Sequence, residues 1–299
     1  MYQPKSQNPA LAAVLIGVAT MFIAATMLLA KALSTGQFGP PLHPVQISFG
    51  RFAFAFLTVS MGVAILRPRI THVHWNLHAI RTISGWAGVT LMFAAVAYIP
   101  LADATAITFL NPVFGMILAI PILGERVGKW RWRAAFIAFV GAVILIRPSV
   151  GGIEPAALLA LSAAVVMGLE LTIIKKLAGR EGPLQILFFN NLIGCAIASC
   201  AVIWVWQMPN TLQWFMLAAL GCLMAAAQSF FVNAMARADA SFVAPFSYAT
   251  LIFATLYDIY FYRVIPDIVT LIGAGMILAG AFLLAWREGI AARRNVSAL

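Results

Sequence analysis

Ten runs of mostly apolar residues constrain the fold of this chain more than any other feature. A helix that crosses a bilayer needs about 20 such residues. Hydrocarbon offers no hydrogen-bond partners, so each run must satisfy its own backbone groups, as a helix does. The sequence therefore predicts an all-α membrane protein with ten transmembrane helices. The predicted spans are residues 10–32, 44–66, 79–99, 103–123, 132–148, 155–177, 183–206, 213–234, 240–262 and 267–287.

The composition supports a membrane protein and disfavours several soluble classes. Of the 299 residues, 63% are hydrophobic and 9% are charged, whereas a soluble domain is about 25% charged. The net charge of +10 is explained by basic loops between helices, so we expect no nucleic-acid partner. The three cysteines lie inside apolar runs, which disfavours a disulfide framework and a zinc site. We expect no cofactor and no bound metal.

The basic residues predict the orientation, because cytoplasmic loops carry an excess of Lys and Arg. With ten spans, 15 of the 19 Lys and Arg residues fall at the termini and in alternate loops on one side, and 3 fall on the other. We therefore expect both termini to be cytoplasmic.

A repeated segment indicates that the two halves of the chain are related. The Ala-Asp-Ala sequence of Ala102–Ala104 returns as Ala238–Ala240, and each copy leads into an apolar run that contains a proline. Five predicted spans in each half force the halves into opposite orientations. The sequence thus predicts two inverted five-helix repeats, residues 1–150 and 151–299, related by a pseudo-two-fold axis in the membrane plane.

Three segments carry a family resemblance: Gly50–Phe52 near the start of the second span, Leu123–Arg126 at the end of the fourth, and the glycine-rich stretch Leu271–Gly280 of the last. With the ten-span pattern, they make the chain similar to the drug/metabolite transporter superfamily, in particular its EamA type. That resemblance implies a carrier, since members move amino acids, vitamins, nucleotide-like metabolites and drugs. The first half is similar in general character to riboflavin and S-adenosylmethionine carriers. Tyr260–Arg263 departs from the pattern, because relatives often repeat a Gly-Glu pair there.

Prolines inside two spans mark one candidate substrate site. Pro112 and Pro245 each remove a backbone hydrogen bond, which is tolerable where carbonyl groups line a cavity. Polar residues near them are expected to touch substrate: Thr108, Asn111, Ser247 and Tyr248. The alternative is that these groups only join one helix to another.

Charged residues inside spans form a second set of candidates, because charge is costly in hydrocarbon. The candidates for charge or coupling are Glu170, Arg51 and Asp258. Glu170 would bind a proton or a cationic group of the substrate, unless it forms a structural ion pair with Lys175 or Lys176. Arg51 would hold a carboxylate or phosphate, unless it extends to lipid headgroups. Asp258 has Arg263 as a nearby partner.

An aromatic stripe forms the third set. Trp86 and Thr90 lie on one face of the third span, and Gln228 lies on the eighth. A ring beside hydrogen-bonding groups suits a planar ligand, and the alternative is helix packing.

These features favour a secondary transporter of the bacterial inner membrane. A small organic metabolite, such as riboflavin or S-adenosylmethionine, would bind between the halves and cross by alternating access. The expected partners are this substrate, the lipid bilayer and a proton as coupling ion, and a homodimer is left open. An exporter of amino acids or drugs on the same fold is the first alternative.

A membrane-embedded enzyme acting on lipid is the alternative from another class, and a non-transporting scaffold is a third. An enzyme needs His, Asp or Glu residues grouped at one membrane face. His72, His74 and His78 lie in a predicted cytoplasmic loop without an acid nearby in the sequence, and we expect them to be solvated rather than bound to metal. We therefore expect no enzymatic activity.

Overall fold

The helices of the chain follow the apolar runs. The computed structural model describes residues 8–68, 70, 72–124, 127–146, 154–178, 181–235, 237 and 246–296, and these residues form helices and loops without a β-strand. The helices are α1 (Pro9–Ser34), α2 (Pro44–Leu66), α3 (Trp75–Val96), α4 (Leu101–Thr108), α5 (Asn111–Leu123), α6 (Lys129–Ile146), α7 (Pro155–Ala178), α8 (Pro183–Val202), α9 (Thr211–Met235), α10 (Ala249–Tyr257) and α11 (Ile268–Val296). With α4 and α5 counted as one span, seven of these are long and apolar enough to cross a membrane.

Proline fixes where four of the helices begin. Proline suits the first helical position, because its φ is already helical and its missing N–H is not needed there. The four residues are Pro9, Pro44, Pro155 and Pro183. By contrast, α3 begins at Trp75, four residues before the predicted start. His78 is therefore part of α3 and not of the preceding loop.

The predicted break at Pro112 is present. The helix stops at Thr108 and resumes at Asn111, because Pro112 has no N–H to bond the Thr108 carbonyl. Two residues, Phe109 and Leu110, connect α4 to α5. The corresponding Ala238–Ala240 and Pro245, together with Glu125 and Arg126, lie outside the described residues.

After α10, the helix widens to a π-helical turn over Asp258–Tyr262. It ends at Arg263, which has φ 57°. The rings of Phe109 and Tyr248 meet edge to face, with centroids 5.2 Å apart. The break between α4 and α5 therefore contacts the residue that precedes α10.

Helix packing brings both halves of the chain into one bundle. Helix α3 packs on α7, α1 on α9, α2 on α8 and α9, and α6 on α11. Small residues allow the last pair to approach closely: a Cβ on Gly141 would lie 2.7 Å from the Gly273 carbonyl oxygen. Large apolar side chains such as Leu57 and Phe136 are exposed on the outside, where lipid would meet them. Polar side chains are buried between α2, α3, α7, α8 and α9.

Candidate functional site

Three charged side chains from three helices meet inside the bundle. Arg51 lies on α2, Arg81 on α3 and Glu170 on α7, and both arginines interact electrostatically with Glu170. The Arg81 Nε atom is 3.8 Å from Glu170 Oε1, which is a loose ion pair. The Glu170 side chain is 20% exposed, whereas Arg51 is 5% exposed. Arg51 is thus more fully enclosed than Glu170, whose side chain is largely buried.

A glycine on α3 makes room for the carboxylate. A Cβ on Gly85 would lie 2.8 Å from Glu170 Oε1 and 3.0 Å from Oε2, so any larger residue would displace the carboxylate. Glu170 therefore lies flat against the α3 backbone. The sequence suggested Lys175 or Lys176 as its partner. Among the described side chains, the partner is Arg81. The Lys176 side chain is exposed, and the Lys175 side chain lies outside the described part.

Arg51 is enclosed by protein, which does not fit the alternative that it extends to the lipid headgroups. Its guanidinium lies over the ring of Phe52, 4.3 Å from the ring centroid. That ring fits against Gly194 of α8, where a Cβ would collide with it. The Arg51 Nη1 atom is buried and has no hydrogen-bond partner. A strong donor therefore remains unsatisfied inside the protein.

Arg81 is the functional candidate that sequence reasoning missed. Its Nη1 donates to the Ile186 carbonyl of α8 at 3.2 Å, and the arginine is 7% exposed. Arg81 stood two residues inside the predicted third span and was counted with the cytoplasmic loop residues. The signal for it was the presence of Glu170 deep in a span without a cation at the same depth.

Trp86 and Thr90 lie beside this cluster on α3. Thr90 Oγ1 donates to Ser48 Oγ of α2 at 2.9 Å, so these two residues are level across the antiparallel pair. One turn further along each helix, Arg51 and Trp86 are therefore also level. The Trp86 Nε1 atom is buried and has no hydrogen-bond partner. The indole N–H is therefore a donor without a partner in the structure.

Amide side chains of α8 and α9 extend the polar region. Asn190 Oδ1 accepts from Thr82 Oγ1 at 3.3 Å, and Asn191 Nδ2 donates to Gln228 Oε1 at 3.3 Å. Asn191 is completely buried, and its Oδ1 has no partner. The structure thus brings Gln228 to the junction between α8 and α9.

The residues around the Pro112 break are arranged differently. Thr108 Oγ1 donates to the Ala104 carbonyl at 2.7 Å and approaches Met92 Sδ at 3.1 Å, so its hydroxyl is satisfied within the protein. Asn111, Ser247 and Tyr248 are partly exposed. For Thr108, the observed bonds fit the alternative that it supports helix structure.

Asp258 takes part in a cluster at one end of the bundle. Its Oδ1 is 3.4 Å from Lys31 Nζ, and its Oδ2 accepts from the Ala102 N–H at 2.9 Å. Lys31 Nζ also donates to the Ile99 carbonyl at 3.3 Å and lies over the Tyr262 ring. The partner of Asp258 is therefore Lys31 of α1 and not Arg263. The Lys–Asp cluster, as we call it, consists of Lys31, Ile99, Ala102, Asp258 and Tyr262.

A cavity of about 500 Å³ adjoins the Lys–Asp cluster. Four acidic residues line it: Asp103, Glu154, Asp258 and Asp267. Loop residues 264–267 and the start of α7 also line it.

A second cluster lies at the start of α3. Glu181 Oε1 accepts from the His74 N–H at 2.8 Å and is 2.9 Å from His74 Nδ1. Glu181 Oε2 is 2.9 Å from His78 Nε2 and accepts from Gln185 Nε2 at 2.7 Å. We call these four residues the His–Glu cluster.

The His–Glu cluster corrects two expectations. His78 is completely buried rather than solvated, and an acid lies next to the histidines in space although none does in sequence. Burial by itself would raise the pKa of Glu181, but the hydrogen bonds from His78 and His74 outweigh it and lower that pKa to about 2. Among the described residues, no group of three His, Cys, Asp or Glu side chains is arranged to hold a metal.

Comparison with known proteins gives one consistent family. The model of the EamA-like transporter family matches residues 10–147 and 154–286. The riboflavin transporter of Rhizobium johnstonii is 33% identical over 252 residues, which cover 81% of this chain and 80% of that protein. The S-adenosylmethionine uptake transporter of Rickettsia prowazekii is 24% identical over 289 residues, which cover 94% and 96%.

Two further similarities extend the comparison. The pseudopaline exporter of Pseudomonas aeruginosa is 25% identical over 250 residues, which cover 81% of this chain and 86% of that protein. A solved crystal structure that is 21% identical covers 94% of this chain and 98% of its own, with a TM-score of 0.59. The last similarity establishes the fold alone.

Proposed function

The chain belongs to the EamA-like transporter family, and from this premise we propose that it is a secondary transporter of the bacterial inner membrane. It would carry a small organic metabolite by alternating access, with the substrate held between the halves near the midplane. The observation that carries the proposal is the buried Arg51–Arg81–Glu170 group, because ionisable residues inside a span mark substrate or ion pathways. The names of the relatives indicate transporters rather than enzymes.

The packing of the helices supports the inverted repeat. In the predicted repeat, α1 corresponds to α7, α2 to α8, α3 to α9 and α6 to α11. The α3–α7 and α1–α9 contacts then exchange, and the α2–α8 and α6–α11 contacts each map onto themselves. A two-fold axis in the membrane plane would produce this pattern. The proposal therefore includes repeats over residues 1–150 and 151–299, with both termini cytoplasmic.

The proposed substrate path runs between the two halves, beside the buried polar side chains of α2, α3, α7, α8 and α9. The residues assigned to it are Trp86, Thr90, Asn111, Glu170, Gln228, Ser247 and Tyr248, whereas the bonds of Thr108 fit a structural role. Riboflavin and S-adenosylmethionine are the first substrates to test, because relatives that cover four-fifths or more of this chain carry those names. Export is the second candidate, favoured by the similarity to a pseudopaline exporter.

Proton coupling is assigned to Glu170, whose side chain is largely buried and whose carboxylate is only loosely paired with Arg81. The test is uptake of labelled riboflavin and S-adenosylmethionine into proteoliposomes, with and without a pH gradient. Counterflow from preloaded vesicles then separates import from export. For the substrate that moves, Glu170→Gln should reduce the pH-driven component of transport by about tenfold or more. The reason is that a carboxamide, unlike a carboxylate, cannot take up and release a proton.

The matched control for this test is Glu154→Gln, which removes an exposed acid from the start of α7. It should leave the pH-driven component unchanged. Undiminished pH dependence in Glu170→Gln would remove the coupling assignment. Failure of the wild-type protein to move any compound of the panel would count against transport itself.

A further inference from the structure

We propose that Arg51 binds a carboxylate of the transported metabolite. The inference rests on the proposed function and specifies the substrate class of that site. It assigns the site to compounds with one anionic group, which distinguishes between the two kinds of molecule that the relatives carry. S-adenosylmethionine has an α-carboxylate, whereas riboflavin has none.

The first step is the charge balance. Arg51 and Arg81 bring two positive charges to one place inside the bundle, and Glu170 brings one negative charge. A buried charge that lacks a partner is strongly unfavourable. One further negative charge would neutralise the group, and a carboxylate supplies one. A phosphate carries about 1.5 to 2 negative charges at neutral pH and would overcompensate.

The second step is the geometry of the pairing. Glu170 lies closest to Arg81, at 3.8 Å, and Gly85 fixes its carboxylate against the α3 backbone. One carboxylate held there cannot satisfy both guanidinium groups. Arg81 Nε also lacks a hydrogen-bond partner, but Arg81 has the Glu170 carboxylate 3.8 Å away and bonds the Ile186 carbonyl through Nη1. We therefore assign the open partner position to Arg51.

The third step is the set of unsatisfied donors. Arg51 Nη1 and Trp86 Nε1 are both buried without a hydrogen-bond partner, and the two residues are level on adjacent helices. Each is a donor, and both kinds of donor bind anionic oxygens. The arginine fork also matches the two oxygens of a carboxylate. A carboxylate placed between them would satisfy both donors and complete the charge balance.

The test uses the full-length protein in detergent and pairs of probes that differ in one carboxylate. The pairs are S-adenosylmethionine with its decarboxylated analogue, and tryptophan with tryptamine, and riboflavin is the uncharged probe. Binding is measured by calorimetry and transport in proteoliposomes. In the wild type, loss of the carboxylate should weaken binding about 10- to 100-fold, as expected for a hydrogen-bonded charged group.

Arg51→Gln should abolish this preference, so that the carboxylate and decarboxylated members bind alike. Arg51→Lys, which keeps the charge, should retain part of the preference and serves if the glutamine variant does not fold. Arg133→Gln is the control, because Arg133 is exposed and stacks on Trp130. It should bind both members as the wild type does.

Two outcomes would overturn the inference but leave the proposed function standing. One is equal binding of the carboxylate and decarboxylated probes by the wild type, and the other is transport of riboflavin that Arg51→Gln leaves unchanged. A preference that persists in Arg51→Gln would equally exclude Arg51 as its source. Transport of no compound in the panel would contradict the proposed function, and with it the inference.

Discussion

The two ends of the bundle carry polar clusters of different chemistry. The His–Glu cluster lies where α3 begins, and the Lys–Asp cluster lies just beyond its end, so the 22 residues of α3 separate them by about 33 Å. Each cluster joins chain before residue 150 to chain after it. The group of Arg51, Arg81 and Glu170 lies between them.

The Lys–Asp cluster depends on two opposite charges. The side chains of Lys31 and Asp258 are 10% and 1% exposed, so each charge is enclosed and depends on the other. In the His–Glu cluster, a single carboxylate accepts from several donors. Within this cluster, His78 bonds through Nε2, and its Nδ1 has no partner.

This difference has a consequence for alternating access. A carrier that works as proposed must open one end while the other stays closed. Opening the Lys–Asp end separates two charges in a region of low dielectric constant, whereas opening the His–Glu end exposes one carboxylate to water. The two ends should therefore respond differently to substitution and to pH.

The largest effect is expected at the Lys–Asp end. Asp258→Asn should destabilise the protein by about 3 to 5 kcal/mol, because it leaves the buried Lys31 ammonium without a counter-charge. The asparagine oxygen can still accept from the Ala102 N–H, so the substitution removes charge and little else. Thermal unfolding in detergent measures the loss.

The double variant Lys31→Met/Asp258→Asn sharpens this test. It removes both charges together and keeps the acceptor for Ala102, so most of the lost stability should return. A double variant as unstable as Asp258→Asn would show that the unpaired Lys31 charge is not the cause of the lost stability.

Helix boundaries were predictable where one residue decides them locally. Pro44, Pro155 and Pro183 fix the starts of α2, α7 and α8, and the break before Pro112 follows from its missing N–H. The start of α3 was predicted late, because His74, Trp75 and the residues that follow read as a polar loop. Tertiary contacts of His78 with Glu181 and Phe189 extend the helix there.

The candidate site was predictable as residue types but not as pairs. The cost of charge in hydrocarbon was enough to select Glu170, Arg51 and Asp258 from the sequence. Their partners Arg81 and Lys31 come from other helices, and nothing local specifies which helix approaches which. Gly85 allows α3 to pack closely against Glu170 of α7, but the sequence does not indicate that these two helices are neighbours.

A smaller effect, with a defined pH dependence, is expected at the His–Glu end. Glu181→Gln should cost about 1 to 3 kcal/mol near neutral pH, since it weakens bonds to a charged acceptor. The pKa of Glu181 is lowered from 4.5 to about 2, so the contribution of its charge is fully present above about pH 4.5 and is lost as the pH falls towards about 2.

The measurement for Glu181 is the difference in unfolding temperature between wild type and Glu181→Gln, taken stepwise from about pH 7 to about pH 3. The difference should shrink through the acid range. Asp258→Asn provides the comparison at the other end. A constant difference for Glu181→Gln across that range would mean that the carboxylate charge contributes nothing to the cluster.

The smallest effect is expected within the same cluster, at His74. Its side chain is 29% exposed, and Glu181 would keep the backbone N–H of residue 74 as well as His78 and Gln185. His74→Ala should therefore cost less than about 1 kcal/mol. His78→Ala is the matched variant and should cost more, because His78 is fully buried and its removal leaves a cavity and takes away one of the two side-chain partners of Glu181 Oε2. Equal losses of unfolding stability from both variants in detergent would mean that the number of donors to Glu181, and not the buried His78 ring, stabilises the His–Glu cluster.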